Sequence, residues 1–440
     1  MSHPLEPEPL GTAPTLEEML AEPVAAAGID EVPGSPQPRA FLTLYVLAWF
    51  GLTLSINTII GSSIPKLFAF TDDHGKGIDL SVTAAIGGIV VMVITPLFGR
   101  LSDRTMARMG KRRPWILWGT IVGCVGIVVL AFSVELWVVV LGWVIVQAGF
   151  GATNVAVHAL LADQIATRIR ARVSAFASAA GGIAGIVGAV LVAAMPNDKQ
   201  WTWFIVPGFL GAIFSFLLFF GLHDIVRTDR PARLRWSDIL STYWLDPVKY
   251  RDFFWAWMCR LLVTMSIVSV AGYLLFFIID RLGIPKEQAS GVQAGMLIMF
   301  TVGNILMTLL FGWISDRTGR RKPIVLFSSL LSAVGLVIAL LAPDITVFTI
   351  GIVIVGAAQG AYVSVDVALM TEVLPTFKDA GKDLGIVSLS FQLPQLLVPL
   401  IALPLLSIGG GTENYSALFI AAIVFGVLGG LAVIPIKTVR

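Results

Sequence analysis

The feature that most constrains the fold of this chain is a series of long apolar stretches. A helix of about 20 residues crosses the hydrocarbon core of a bilayer, because it rises by about 1.5 Å per residue over about 30 Å. The stretches are separated by short polar segments and occupy residues 40–65, 80–100, 115–134, 137–163, 172–194, 201–222, 252–279, 288–312, 323–342, 346–370, 384–407 and 415–436. The sequence therefore predicts an all-α membrane protein with twelve transmembrane helices.

The composition supports this prediction and excludes several classes of protein. Apolar residue types make up 56% of the chain and charged types 13%, whereas soluble domains average about 45–50% and about 25%. The formal net charge is only +2, and the basic residues are scattered through short loops, which argues against a nucleic-acid partner. We therefore expect a protein embedded in a lipid bilayer, and not a cytosolic enzyme, a secreted domain or a nucleic-acid-binding protein.

The spacing of the stretches predicts the domain organisation. The longest polar gap, residues 223–251, separates six stretches from six. We predict a six-helix half at 40–222, a cytoplasmic central loop at 223–251 and a second six-helix half at 252–440. Residues 1–39 are rich in Pro, Ala and Glu, a composition typical of a disordered, solvated tail.

The basic residues predict the orientation, because Lys and Arg accumulate in cytoplasmic loops. With the N-terminus inside, Arg260 lies within a span and most other basic residues are cytoplasmic. The basic residues left outside are Lys66, Lys76, Lys199, Arg281 and Lys286. We predict a multi-pass protein of the plasma or inner membrane with both termini in the cytoplasm.

Two loops of the sequence repeat each other. Residues 99–105 (GRLSDRT) match residues 312–318 (GWISDRT), 213 positions further on. The first loop is four residues longer, so the offset is 209 from Gly110 onward, and this second register pairs Asp163 with Glu372. The repeat predicts two six-helix halves related as parallel repeats, an arrangement typical of transporters with a site between the halves.

The two loops, with their G-x-x-x-D-R and G-[KR]-[RK]-[RK] patterns, resemble those of the major facilitator superfamily of secondary transporters. Residues 102–115 and 159–163 are also similar to the glycoside–pentoside–hexuronide cation symporters and the plant sucrose carriers. This finer resemblance implies uptake of a sugar or glycoside driven by a proton or sodium gradient. Sucrose carriers have an acid and an arginine in span four where this sequence has Gln147 and His158, so the coupling role of that acid does not transfer to Gln147.

The charged residues of the repeated loops predict a cytoplasmic gate. We expect Asp103 and Asp316 to accept backbone N–H groups at neighbouring helix N-termini, where the helix dipole favours an anion. We expect the loop arginines to pair with acids at the ends of spans four and ten, and these pairs to latch the cytoplasmic side closed. The alternative is that the basic loops only orient the chain. The predicted gate residues are Gly99, Asp103, Arg104, Arg112, Asp163, Gly312, Asp316, Arg317, Arg321 and Glu372.

Three ionisable residues, His158, Arg260 and Asp366, fall clearly inside spans. Because such groups are costly in a membrane, each is a candidate functional residue. All three lie within about 6–12 Å of the cytoplasmic interface at the rise of a helix. We predict an Arg260–Asp366 pair, with Asp366 or His158 carrying the coupled proton. The alternatives are a fixed ion pair that holds the second half together and a histidine that only packs between helices.

Amide side chains near the middle of the spans are the candidate substrate ligands. A neutral sugar needs hydrogen bonds and an aromatic face, and carriers of this type hold substrate near the bilayer midplane. Each amide could instead bond a neighbouring helix. The predicted substrate-binding residues are Asn57, Gln147, Asn154, Gln359, Tyr362, Gln392 and Gln395, with Asn304 and Tyr273 as further polar groups inside spans.

These features together predict a secondary active transporter, working as a monomer, that moves a neutral sugar or glycoside with a cation, H⁺ in preference to Na⁺. The sequence has no G-x-x-x-x-G-K-[ST] loop and no catalytic constellation, so we expect neither a primary pump nor an enzyme, and no cofactor or metal. The alternatives are a proton-coupled antiporter that exports a drug or metabolite, and a non-transporting sensor built on the same scaffold. Gate loops in both halves favour transport over sensing.

Overall fold

Twelve apolar helices make up the regular structure of the described chain. The computed structural model describes residues 40–72, 74–226, 250–373, 380–409, 411 and 413–437. The helices are α1 Phe41–Thr71, α2 Lys76–Arg104, α3 Arg113–Ala131, α4 Leu136–Gln164, α5 Thr167–Ala194, α6 Gln200–Gly221, α7 Arg251–Asp280, α8 Lys286–Thr318, α9 Lys322–Leu341, α10 Ile345–Glu372, α11 Ala380–Leu406 and α12 Tyr415–Leu431. The predicted tail at 1–39 and most of the predicted central loop lie outside the described residues.

The lengths of the helices match a bilayer. Eleven of the described helices are long and apolar enough to cross a membrane, and α12, at 17 residues, is apolar but shorter. Bulky apolar side chains such as Trp118, Phe220 and Leu309 are exposed on the outside of the bundle. A soluble protein rarely exposes so many, because contiguous apolar surface is costly in water. The predicted all-α membrane fold is confirmed.

Local sequence signals explain where several helices begin. Pro114 and Pro323 stand in the first turns of α3 and α9, where the missing N–H of proline costs nothing. At the start of α10, the carboxylate of Asp344 accepts the N–H groups of Thr346 at 2.8 Å and Val347 at 3.0 Å. That carboxylate satisfies two N–H groups that the helix itself leaves unpaired.

Equivalent close contacts occur in the two halves. A Cβ atom on Gly126 in α3 would lie 2.9 Å from the carbonyl oxygen of Gly142 in α4, and one on Gly335 in α9 would lie 2.8 Å from that of Gly351 in α10. The second pair stands 209 positions after the first, the register of the sequence repeat. In both halves, glycine therefore lets two helix backbones approach closely.

The halves meet mainly along two helix pairs, α2 with α11 and α5 with α8, and α7 and α8 also contact α1. The buried residues of α2 lie between Lys76 and Gly88, apart from Ser102. Those of α8 lie between residues 289 and 296, apart from Ser315. We call the side of the bundle that carries residues 40 and 437 the terminal face, and the other side the opposite face. The halves pack together near the opposite face, and burial falls off toward the terminal face.

Candidate functional site

A cavity of about 660 Å³ lies between the two halves, a volume within the range of small-molecule sites. The first half contributes residues of α1, α2 and α4, and the second half residues of α7 and α11. Among the described residues that line it, none is Asp, Glu, Lys or Arg. Its polar and aromatic lining consists of Asn57, Thr95, Trp143, Gln147, Asn154, His158, Tyr273, Ser388, Phe391, Gln392 and Gln395.

Five of the predicted substrate-binding residues converge on this cavity. Asn57 reaches it from α1, Gln147 and Asn154 from α4, and Gln392 and Gln395 from α11. Each amide offers both donors and an acceptor. The cavity can therefore hydrogen-bond a polyhydroxylated molecule from both halves without any charged group on its wall.

The other two predicted substrate ligands, Gln359 and Tyr362, lie elsewhere. They line a separate pocket of about 10 Å³ inside the second half, with side chains of α7, α9 and α12 that include Ser266 and Ser329. Gln359 and Tyr362 therefore lie outside the lining of the central cavity. Counting residues from the end of a span gives the depth of a side chain but not the direction in which it points around the helix, and this face of α10 packs within its own half.

Sequence reasoning missed Trp143, Thr95, Ser388 and Phe391 as cavity residues. Trp143 is buried against Gly87, and its indole nitrogen has no hydrogen-bond partner among the described residues. Phe391 lines the cavity and is 47% exposed. An aromatic side chain near the middle of a span was the available signal, but most such residues face lipid or the core, so sequence alone does not single these out.

The predicted pair of Arg260 and Asp366 forms between α7 and α10. Arg260 Nη2 lies 3.2 Å from Asp366 Oδ2, and the hydroxyl of Tyr362 donates to Asp366 Oδ1 at 2.9 Å. Both charged side chains are buried. The ring of Phe391 lies against Arg260, with 3.7 Å between the ring centroid and Arg260 Cζ. The pair thus lies directly behind one wall of the cavity.

His158 belongs to the other half and is part of the cavity wall itself. Its imidazole packs against the indole of Trp49, with 4.2 Å between ring centroids. A titratable group is therefore open to the cavity from the first half, while the Arg260–Asp366 pair lies beneath the surface of the second half. The two candidate coupling sites are separate.

On the terminal face, the first repeated loop is held by a cluster of charges within the first half. Arg112 Nε donates to Asp163 at 2.8 Å and Nη1 to Ser102 at 2.7 Å, and its Nη2 pairs with Asp103. Lys111 Nζ lies 3.0 Å from the Asp163 carboxylate. Gly99 packs against Val155 of α4.

The same pair recurs in the second half, where Arg321 binds Glu372. Arg112 and Arg321, like Asp163 and Glu372, stand 209 positions apart. Gly312 approaches Ser364 of α10, as Gly99 approaches α4. Of the remaining predicted gate residues, Arg104 is half-buried, whereas Asp316 and Arg317 are exposed.

One expectation about this gate is corrected. Each of these pairs lies within one half, so they cannot latch the halves together. Asp103 pairs with the guanidinium of Arg112. The acid at the N-terminus of α3 is Asp224, which accepts the backbone N–H of Arg112 at 2.5 Å and of Arg113 at 2.9 Å. Asp224 follows α6, which packs beside α3, a proximity that the sequence does not reveal.

Near the opposite face, polar contacts join the two halves. Lys76 Nζ at the start of α2 lies 2.7 Å from Asp280 at the end of α7 and 3.5 Å from Glu413. Closer to the cavity, the hydroxyls of Ser81 and Tyr273 are 2.6 Å apart. The lysine is buried, so the cavity is closed on this side by an ion pair that connects the halves.

A second polar contact closes the same side. Gln293 Nε2 of α8 donates to the carbonyl of Gly61 at 3.2 Å, within a π-helical turn of α1 at Ile59–Ser63. Lys66, predicted to lie in an outside loop, is instead buried within α1. Its ammonium donates to the carbonyl of Val192 at 3.0 Å and lies over the ring of Trp203. The helix runs beyond the limit predicted at residue 65, so its last turns carry this lysine inward.

Two six-helix halves around a central, uncharged cavity that is closed on one side define a membrane transporter. The family model of the Major Facilitator Superfamily matches residues 41–302 and 288–439. The chain belongs to this family, and it is a transporter and not an enzyme.

Solved structures of transporters share this fold. The chain is similar to a variant of the nucleoside transporter NupG, with a TM-score of 0.68 and 14% identity over 90% of this chain and 99% of that one. It is also similar to a D-xylose-proton symporter, with a TM-score of 0.66 and 16% identity over 92% of this chain and 98% of that one. At these identities the likeness concerns the fold.

Short segments are similar to plant proteins. The chain is 37% identical over 57 residues to sucrose transport protein SUT5 of Oryza sativa subsp. indica, which is 13% of this chain and 11% of that protein. It is 42% identical over 50 residues to sucrose transport protein SUT1 of Oryza sativa subsp. japonica, 11% of this chain and 9% of that protein. The chain thus matches about a tenth of the length of these relatives.

Proposed function

We propose that this protein is a cation-coupled symporter that moves a neutral sugar or glycoside, with H⁺ as the cation. The observation that carries the proposal is the cavity wall, where amides from both halves converge and no described lining residue has a formal charge. A sugar binds through many neutral hydrogen bonds together with contact to aromatic rings. A cationic or anionic substrate would leave its charge unpaired in such a cavity, at a high desolvation cost.

The comparisons support the same class of substrate. The D-xylose-proton symporter and the sucrose transport proteins are each named for the sugar that they transport. The former shares the fold over most of the chain, and the latter share a short segment at higher identity. Together with the uncharged cavity, these likenesses favour a sugar over a drug or another metabolite.

The proposed mechanism is alternating access by movement of the two halves. We assign the basic loops of the terminal face, and both termini, to the cytoplasmic side of a plasma or inner membrane, so that the closed opposite face lies outside. Opening to the other side requires separation of Lys76 from Asp280 and of Ser81 from Tyr273. Each half then moves as a unit, because the Arg112–Asp163 and Arg321–Glu372 pairs tie a loop to a helix within their own halves.

The proposed proton site is the carboxylate of Asp366, with His158 as the second candidate. Asp366 is neutralised either by its Arg260 partner or by a proton, so the two are alternatives for the same charge. A buried carboxylate that exchanges one for the other changes the packing of α7 against α10. That change can be transmitted to the cavity wall through the residues that cover the pair.

Uptake into proteoliposomes tests this function. A panel of labelled mono- and disaccharides is offered under an inward proton gradient, with a pH-sensitive dye trapped in the lumen. Sugar-dependent proton entry is the expected result, and it identifies the substrate. If no sugar in the panel is taken up by vesicles that contain folded, monomeric protein, the proposal is overturned in favour of proton-coupled export of another neutral compound.

A further inference from the structure

Phe391 separates the central cavity from the buried ion pair of the second half. One face of its ring is covered by Arg260, with 3.7 Å between Arg260 Cζ and the ring centroid. Phe391 also lines the cavity, and 47% of the residue is exposed. A single aromatic side chain thus contacts both the proposed substrate site and the partner of the proposed proton site.

The surroundings of the ion pair make this contact important. The ionisable groups around Asp366 are Arg260 and Cys259 from α7 and Tyr362 from α10. Arg260 Nε has no hydrogen-bond partner among the described residues. Beyond its ion pair, the guanidinium is therefore stabilised by the face of the Phe391 ring, an attraction that grows when the cation is shielded from water.

The position of Phe391 on α11 brings it next to a predicted substrate ligand. Gln395 follows one helical turn later, so its side chain is a neighbour of Phe391 on the same face of the helix, and Gln392 also lines the cavity. A sugar held by these amides presents its apolar C–H face to the ring. A bound sugar and Arg260 then contact the same aromatic side chain from different sides.

We propose that Phe391 is a positioning residue that seals the Arg260–Asp366 pair from the cavity in the empty carrier and exposes it when a sugar draws the ring away. This inference rests on the proposed sugar–proton symport. It explains how a carrier with its proton site behind the cavity wall avoids a proton leak. Without the ring, water in the cavity reaches the pair, and Asp366 exchanges protons whether or not substrate is present.

The test is a proton-leak assay without any sugar. Proteoliposomes are given a K⁺ diffusion potential with valinomycin, inside negative, and a trapped pH dye reports proton entry. Vesicles that contain the wild-type protein are expected to show only slow proton entry. Phe391→Ala is expected to leak roughly tenfold faster, a change that corresponds to about 1.4 kcal/mol. Phe391→Trp, which keeps an aromatic face, is expected to remain tight.

Two further variants assign the leak to the ion pair. Phe391→Ala combined with Asp366→Asn is expected to return the leak to the wild-type rate, because the proton-accepting carboxylate is gone. Val398→Ala is the matched control, since Val398 also lines the cavity from α11 but does not cover the pair, and it is expected to stay tight. If Phe391→Ala does not fold, Phe391→Leu replaces it and is expected to leak, because its side chain has no aromatic face to hold over Arg260.

The outcomes separate this inference from the proposed function. A folded Phe391→Ala protein that is as tight as wild type overturns the inference, and so does a leak that persists in the double variant. Neither result depends on which solute is carried. If the wild-type protein takes up sugar but Phe391→Ala shows no proton leak, the proposed symport is retained and the role of Phe391 is rejected. If Phe391→Ala leaks protons through Asp366 but no sugar is taken up, the role of Phe391 is retained and the sugar substrate is rejected.

Discussion

Lys76 and Asp280 form an ion pair between the two halves, 2.7 Å from Nζ to Oδ1, on the side of the cavity away from the termini. The lysine side chain is 5% exposed and the aspartate 19%. Because the pair is largely shielded from water, its attraction is screened less than that of a surface pair. Together with the Ser81–Tyr273 contact, it stabilises the conformation in which this side is closed.

Asp280→Asn is expected to shift the carrier toward the conformation open at the opposite face. Ser290→Cys, at a buried position near that end of α8, reports the opening in a background without Cys124 and Cys259. Labelling by a membrane-impermeant maleimide from that side is expected to be roughly tenfold faster, the effect of about 1.4 kcal/mol. Asp198→Asn, an exposed acid on the same face, is the control, and an equal acceleration there would reject the gate.

Glutamines that line the cavity and a glutamine outside it are expected to differ in their effect on the affinity for the transported sugar. Gln147→Leu and Gln392→Leu remove amides from the cavity wall and are expected to weaken binding of the transported sugar roughly tenfold or more, because an unpaired hydroxyl costs about 1–3 kcal/mol. Gln359→Leu makes the same change outside the cavity and is expected to leave affinity unaltered. Isothermal titration in detergent measures all three, and equal losses would show that the central cavity is not the binding site.

Removing one charge of the Arg260–Asp366 pair is expected to destabilise the protein more than removing both charges. Asp366→Asn leaves a buried guanidinium without its counter-charge, which typically costs about 3–5 kcal/mol. Arg260→Gln combined with Asp366→Asn removes both charges and is expected to recover much of that loss. Thermal unfolding in detergent measures stability, and proton-driven uptake is expected to be lost in both variants. A double variant that still accumulates sugar would place the proton site elsewhere, with His158 next to be tested.

The two repeated ion pairs are expected to contribute unequally to stability. Asp163→Asn breaks a pair whose Arg112 side chain is only 4% exposed, and we expect a loss of about 2–4 kcal/mol, because a buried charge loses one of its two carboxylate partners. Glu372→Gln breaks the equivalent pair, but Glu372 is 44% exposed, so solvent screening limits the loss to about 1 kcal/mol or less. Thermal unfolding compares the two directly, and equal losses would contradict the role that we assign to burial.

The hydropathy of the sequence was enough to predict the helices and the fold class. A bilayer requires each span to satisfy its own backbone hydrogen bonds, so apolar length translates directly into helices. The relation between the halves was also predictable, because the Arg112–Asp163 and Arg321–Glu372 pairs follow the offset of 209 positions found in the sequence. The Arg260–Asp366 pair was predictable because a lone charge inside a span needs a partner.

The direction in which a side chain points around its helix could not be predicted from the sequence. Gln147 and Gln359 have similar depth, yet one faces the cavity and the other its own half. Asp224 binds the N-terminus of α3, because the end of α6 lies beside that helix. The contacts of Phe391 with Arg260 and of Lys76 with Asp280 join residues more than a hundred positions apart.

The sequence by itself therefore determined the number of helices, their apolar surface and the presence of two related halves, because those properties depend on the local pattern along the chain. Only the tertiary structure decided which polar side chains meet in the cavity, which ion pairs stay within a half and which connect the halves. Those relationships depend on the rotation and packing of whole helices, to which distant parts of the chain contribute together.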